Sequence, residues 1–266
     1  MFALIVGLFG LIVGSFLNVV ILRKGVSGLG GRSICPRCGA PIAAYDLIPI
    51  FSWLALLGHC RHCGSRISMQ YPLVEAGTGI AFALIAGAPG ASHAPLQLTL
   101  SLLIAALLIC IGTYDLLHTI IPDRWVWSFA ILSCTLSLVM LGGRQGVLAL
   151  LAAGPFAAMP LFFLWAISRG KWMGFGDVKL ALGMGWLLGP APGIFAVFLG
   201  FVIGTIILVP LVYGARLVTH MRGYESGARG LTMKSEVPFG PFLIMGTFLV
   251  WISLLYGYNI VELIGW

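Results

Sequence analysis

Runs of apolar residues separated by short polar stretches decide most of what this chain can become. They fall at about 2–22, 73–88, 96–114, 125–141, 147–168, 178–188, 193–215 and 237–263. A helix needs roughly 20 such residues to cross about 30 Å of hydrocarbon. With 60% hydrophobic and only 9% charged residues, the chain exceeds the apolar share of about half found in soluble domains. The sequence predicts an all-α polytopic membrane protein with about eight transmembrane helices. The first run continues into Arg23-Lys24 without a small-residue cleavage site, so it reads as a retained helix and not a secretory signal. The run 178–188 has 11 residues, which at 1.5 Å each reach about half the hydrocarbon thickness, so it must tilt, extend at its ends or stop partway. Gly189-Pro190-Ala191-Pro192 is a strong breaker that keeps it apart from the next run.

Charge placement supports eight spans over seven, because Lys and Arg accumulate in cytoplasmic loops. With the N-terminus outside, eight spans put Arg23, Lys24, Arg32, Arg37, Arg61, Arg66, Arg124, Arg169, Lys171, Lys179, Arg216, Arg222, Arg229 and Lys234 on one side and leave only Arg144 on the other. The formal net charge of +7 is then a record of topology, and no nucleic-acid partner is implied.

Arg23 to Tyr71 is the one long polar insertion, cytoplasmic in this scheme. It carries Cys35-Pro36-Arg37-Cys38 and Cys60-Arg61-His62-Cys63, two Cys-x-x-Cys knuckles separated by 21 residues. Two knuckles supply the four thiolates of the tetrahedral site that zinc prefers. Disulfides are disfavoured in a reducing compartment, and a redox pair needs only one knuckle. The expectation is a small zinc-ribbon-like loop domain whose metal, with four protein ligands and no open position, folds the loop and does no chemistry. His59 and His62 read as solvated neighbours. Cys110 and Cys134, inside apolar runs, read as small buried hydrophobes.

Only eight acidic residues occur in the chain, and a carboxylate at the edge of a membrane helix is by default a functional-site hypothesis. Asp177, in Gly174-Phe175-Gly176-Asp177-Val178-Lys179, lies between two apolar runs; Asp115 closes the run 96–114. If they meet in one site near the cytoplasmic face, mutual repulsion lets the pair hold a single proton. That state suits peptide hydrolysis, one carboxylate taking a proton from water while its protonated partner polarises the scissile carbonyl. Gly174 and Gly176 would let an extended peptide approach. Asp123 competes with Asp115 for the role of partner. Two other readings stand beside this one: loop aspartates paired with Arg124 and Lys179, and a proton-coupled transporter, against which count the lack of a detectable inverted repeat and the large cysteine loop.

Asn18, inside the first run, reads as an amide bonding across a helix interface. Glu75 suits a helix N-terminus or a substrate contact. Asp46 reads as a turn residue, and Glu262 is given no role.

Taken together, the residues resemble the GxGD aspartic proteases, specifically bacterial type IV prepilin peptidases. The resemblance runs through Gly14-Ser15-Phe16-Leu17-Asn18-Val19-Val20, both knuckles, Asp46-Leu47-Ile48-Pro49, Ser52-Trp53, Ile67-Ser68, Tyr71-Pro72-Leu73-Val74-Glu75, Asp115 with Ile121-Pro122-Asp123, Gly174-Phe175-Gly176-Asp177 and Pro238-Phe239-Gly240-Pro241-Phe242. It implies a bifunctional enzyme of the bacterial inner membrane that cleaves the basic leader from type IV prepilins and pseudopilins. The same enzyme would then N-methylate the new terminus using S-adenosylmethionine. By position it assigns Asp115 and Asp177 as the protease pair, in preference to Asp123. It associates Cys35, Cys38, Cys60 and Cys63, with Gly58, with methylation. The implied organisation is a first transmembrane helix at 1–22, a cytoplasmic four-cysteine metal-binding segment at 23–71 and a seven-helix membrane peptidase domain at 72–266. The cysteine loop and the active site would face the cytoplasm. Leu117 stands where many members carry an acidic or polar residue. No Gly-x-Gly-x-x-Gly follows a strand, so a Rossmann methyltransferase is excluded and the donor site stays unlocated.

Overall fold

The computed structural model describes residues 1–23, 31, 33–141, 146–221 and 238–258, the side chains of 211–221 excepted. Lys24, Arg32, Arg144, Arg222, Arg229, Lys234 and Glu262 lie outside the described residues. The predicted all-helical membrane class holds. All eight apolar runs carry helices, and among the described residues there is no strand, only the isolated bridges Ile34 to Pro41 and His59 to Arg66. The helices are α1 (Phe2–Arg23), α2 (Phe51–Ala55), α3 (Gln70–Gly87), α4 (Pro95–His118), α5 (Asp123–Leu141), α6 (Val147–Ser168), α7 (Phe175–Leu188), α8 (Pro190–Met221) and α9 (Gly240–Leu255). Five of them, α1, α4, α5, α6 and α8, contain segments long and apolar enough to cross a membrane. α3 opens on Gln70 and carries Glu75 and Thr78, while α7 and α9 have 14 and 16 residues.

The chain forms two compact units, Met1–Thr113 and Tyr114–Trp266. In the first, α1 packs along α3 through Gly7, Gly10 and Gly14. A Cβ on Gly10 would stand 2.9 Å from the Gly79 Cα, and one on Gly14 2.7 Å from the Glu75 Cα, so only hydrogen fits between the two backbones. Small residues at this spacing are how membrane helices gain contact when lipid offers no hydrophobic driving force. Asn18 bridges the same seam. Its amide Nδ2 donates to the Tyr71 carbonyl at 3.2 Å and its Oδ1 accepts from Gln70 Nε2 at 3.4 Å.

The second unit is built on α7. Leu180, Ala181 and Met184 are fully buried, and the helix contacts α5, α6, α8 and α9. Beyond Lys179 the helix is apolar on every side, as suits an interior position; at about 1.5 Å per residue its 14 residues span only about 21 Å. Gly183 lies against the Phe129 ring and Gly185 against the Ala153 carbonyl, so neighbouring helices press on it from two sides. The expected breaker between α7 and α8 is Gly189 alone, with φ of +90°; Pro190 and Pro192 begin α8. Proline costs nothing there because the first-turn N–H groups have no helical partner anyway.

Candidate active site and metal centre

The two knuckles have one local geometry. Cys35 N–H donates to the Ala40 carbonyl and Gly39 N–H to the Cys35 carbonyl, both at 2.9 Å. In the second knuckle, Cys60 N–H donates to the Ser65 carbonyl at 2.8 Å and Gly64 N–H to the Cys60 carbonyl at 2.9 Å. Gly39 and Gly64, at φ +71° and +66°, follow the second cysteine of each knuckle and turn the chain through the left-handed region that glycine tolerates. The four sulfurs converge, all lying within 4.8 Å of one another. Ligands about 2.3 Å from a tetrahedral zinc are about 3.8 Å apart, and Cys35 Sγ to Cys63 Sγ is 3.9 Å, so the set fits the ion. The N–H groups of Cys38 and Arg37, aimed at the Cys35 sulfur, lower the Cys35 thiol, while Cys38, despite the Ala40 backbone beside it, is pushed up by burial and by the neighbouring sulfurs. All four must shed their protons to hold the ion. His59, with its ring nitrogen 2.7 Å from the Leu57 carbonyl, and His62 are exposed and stand outside the set.

Around the knuckles, Asp46 accepts from Arg61 Nε on both carboxyl oxygens, at 3.0 and 3.3 Å, and from Nη2 at 2.7 Å. The guanidinium holds its carboxyl below the ordinary range. This is a tie between the knuckles' flanks, consistent with a structural Asp46. Glu75 neither caps a helix nor stands open to solvent. It is buried on α3 and accepts the N–H of Ile50 at 2.7 Å.

Asp115 and Asp177 are both buried and line one cavity of about 1080 Å³ with Ile121, Asp123, Lys171, Trp172, Phe201 and Phe239 among its walls. Asp115 sits in the last turn of α4, where Thr119 N–H closes on the Asp115 carbonyl at 2.7 Å and Thr119, at φ +53°, ends the helix. Asp177 lies three residues after the α7 N-cap, Gly174, and not in a loop ahead of the helix as the apolar run suggested. A carboxylate suits a first turn, where unpaired N–H groups leave partial positive charge. Phe175 is packed by Trp165, ring centroids 4.8 Å apart.

Two contacts join the carboxyls' supports. Gly240 N–H, free because it opens α9, donates to Asp115 Oδ2 at 3.0 Å. Ile121 sits between the two sides: a Cβ on Gly176 would meet its Cβ at 3.0 Å, and a Cβ on Gly240 its Cδ1 at 3.3 Å. Gly176 therefore makes room for Ile121; at Gly174 an added Cβ would meet nothing closer than the Gly176 nitrogen at 3.9 Å, so the open space lies there. Pairing of Asp177 with Lys179 does not occur, since Lys179 reaches Asp123 at 2.6 Å. Gly240 carried no role in the sequence reading. Its only signal is the Pro-Phe-Gly-Pro string that opens a helix with an unclaimed N–H.

A helical membrane chain with a four-cysteine loop and two buried carboxyls on one cavity has the parts of a membrane aspartyl peptidase, and the comparisons agree: the chain belongs to the type IV leader peptidase family. The model of the bacterial peptidase A24 N-terminal domain matches residues 8–88, and that of the type IV leader peptidase family residues 102–209. Among curated relatives, each named a prepilin leader peptidase/N-methyltransferase, that of Stutzerimonas stutzeri is 30% identical over 93% of this chain and 88% of its own length. Those of Dichelobacter nodosus and Pseudomonas aeruginosa are each 31% identical, covering 98% and 96% of this chain and 94% and 91% of their own lengths. No solved structure matches the chain.

Proposed function

We propose that this protein is a prepilin peptidase and N-methyltransferase of the bacterial inner membrane, working at its cytoplasmic face on type IV prepilins or pseudopilins. The observation that carries the proteolytic half is that Asp115 and Asp177, from separate helices, line one cavity. With one proton between them, the ionised carboxylate takes a proton from water as its oxygen attacks the scissile carbonyl carbon. The protonated partner gives its proton to the carbonyl oxygen. Collapse of the tetrahedral intermediate breaks the C–N bond and the amine leaves with a proton, so no metal or covalent intermediate is needed. Asp115, oriented by Gly240, and Asp177, fixed by the first turn of α7, are the catalytic pair in this reading.

The second activity belongs with the cysteine loop. Cys35, Cys38, Cys60 and Cys63 would hold zinc, closing residues 35–66 into one folded piece. S-adenosylmethionine would supply the methyl group that the newly exposed amine accepts. Purified protein, a prepilin peptide and S-adenosylmethionine, followed by mass spectrometry, test both halves. The expected products are the peptide without its leader and the same peptide heavier by one methyl. A protein that binds the peptide and changes neither mass would be an adaptor and would end the proposal.

A further inference from the structure

The segment Leu47–Leu57 presents an unexpected surface for a loop. Phe51, Leu54 and Leu57 are 66%, 55% and 80% exposed, and Leu47 and Ile48 are exposed beside them. Phe51 and Leu54, three apart, share one side of α2. Trp53 turns the other way, its Nε1 donating to the Ile67 carbonyl at 3.4 Å and its ring lying against Gly58. The apolar side chains are thus held outward by a folded support.

The depth of this segment is fixed by Glu75. Glu75 stands beside Gly14, nine residues before the end of α1 at Arg23 (23 − 14), or roughly 13 Å along the helix axis. Its side chain leans back toward the start of α3 and takes the N–H of Ile50 at 2.7 Å. Ile50 has φ of +62°, a conformation that a β-branched residue keeps only when its surroundings impose it. Arg23 marks the edge of the bilayer on α1. The backbone that leads into α2 is therefore clamped on the hydrocarbon side of that edge. The loop's charge is also one-sided: Arg37, Arg61 and Arg66 face a single acid, Asp46, which is already bonded to Arg61.

We infer that Leu47–Leu57 is an interfacial membrane anchor. Its side chains at 47, 48, 51, 54 and 57 enter the boundary between headgroups and acyl chains of an anionic leaflet, and the knuckles are thereby held against the bilayer surface. Apolar side chains at that depth with cationic residues beside them are the composition that binds such an interface.

The test uses the full-length protein in nanodiscs of phosphatidylcholine and phosphatidylglycerol containing a photoactivatable phosphatidylcholine. After irradiation, lipid adducts on peptides covering 47–57 are expected at a yield at least about tenfold above those covering exposed His62. Equal yields overturn the inference, because they leave the segment in water. The doubly substituted protein Phe51→Ser, Leu54→Ser should lose most of the labelling at 47–57 while α1 stays labelled; labelling of 47–57 that persists unchanged also overturns it. So does labelling abolished by a prepilin peptide in the unsubstituted protein, since the surface would then belong to the substrate.

Discussion

Lys179 follows Asp177 by two positions and gives its ammonium to Asp123 at 2.6 Å. The Asp123 side chain is 67% exposed, while Asp115 and Asp177 are each under 10%. One carboxylate at the cavity is thus engaged by a cation near solvent, and two are buried without an ion pair among the described residues.

Substitution should separate them. Asp115→Asn and Asp177→Asn are each expected to lower leader cleavage about 10²–10⁴-fold, the usual worth of a positioned acid or base. Asp123→Asn should retain cleavage and cost no more than about 1 kcal/mol of stability, as exposed pairs do. The mass of a co-expressed prepilin reads the first effect and a melting curve the second. Cleavage retained in either of the first two variants would remove the aspartyl mechanism.

Gly240→Ala places a methyl 2.7 Å from Asp115 Oδ2, closer than real contacts allow. The carboxyl must move, and cleavage should fall by about 10²-fold, the usual loss for a displacement near 1 Å. Methylation of a synthetic peptide already lacking its leader should be unchanged. Equal loss of both activities would mean that the substitution damages the whole protein.

Removal of the metal, by a chelator or by Cys38→Ser, is expected to abolish methylation and leave most leader cleavage. The four sulfurs and the two aspartates lie in different units. Time courses of both products from one reaction decide this; parallel loss would refute the division of labour.

The Asp46 to Arg61 tie predicts a pH dependence. Arg61 bonds hold the folded Asp46 carboxyl below its ordinary value, which is about 3.9 when free. The folded form therefore binds its proton less readily than the unfolded form. The stability it contributes is fully present above about pH 4 and is lost as pH falls through the lower folded value. The difference in melting temperature between the unsubstituted protein and Asp46→Asn should be constant from pH 7 to about 5, then close on further acidification. A difference that grows in acid would contradict the tie.

Much of this was legible in residue spacing. Two Cys-x-x-Cys pairs imply convergence because each brings two sulfurs onto one turn, and the apolar runs locate helices because lipid tolerates little else. Boundaries were less legible. Gly174 to Asp177 looks like a polar break, yet helix α7 begins at Phe175, since a first turn accepts glycine and an acid without needing an apolar face. Least legible were contacts made by backbone. The N–H that Gly240 gives Asp115 crosses 125 positions, and the N–H that Ile50 gives Glu75 crosses 25. Neither donor has a side chain that announces it, so no pattern of residue types could point to the pairing.

The amide on Asp115 comes from residue 240, and this dates the assembly of the peptidase. A ribosome delivers the fourth helix to the membrane long before it has made the ninth, so a half-synthesised chain carries the acid with nothing to aim it. In the proposed mechanism, cutting therefore waits until residue 240 has joined the acid on the fourth helix.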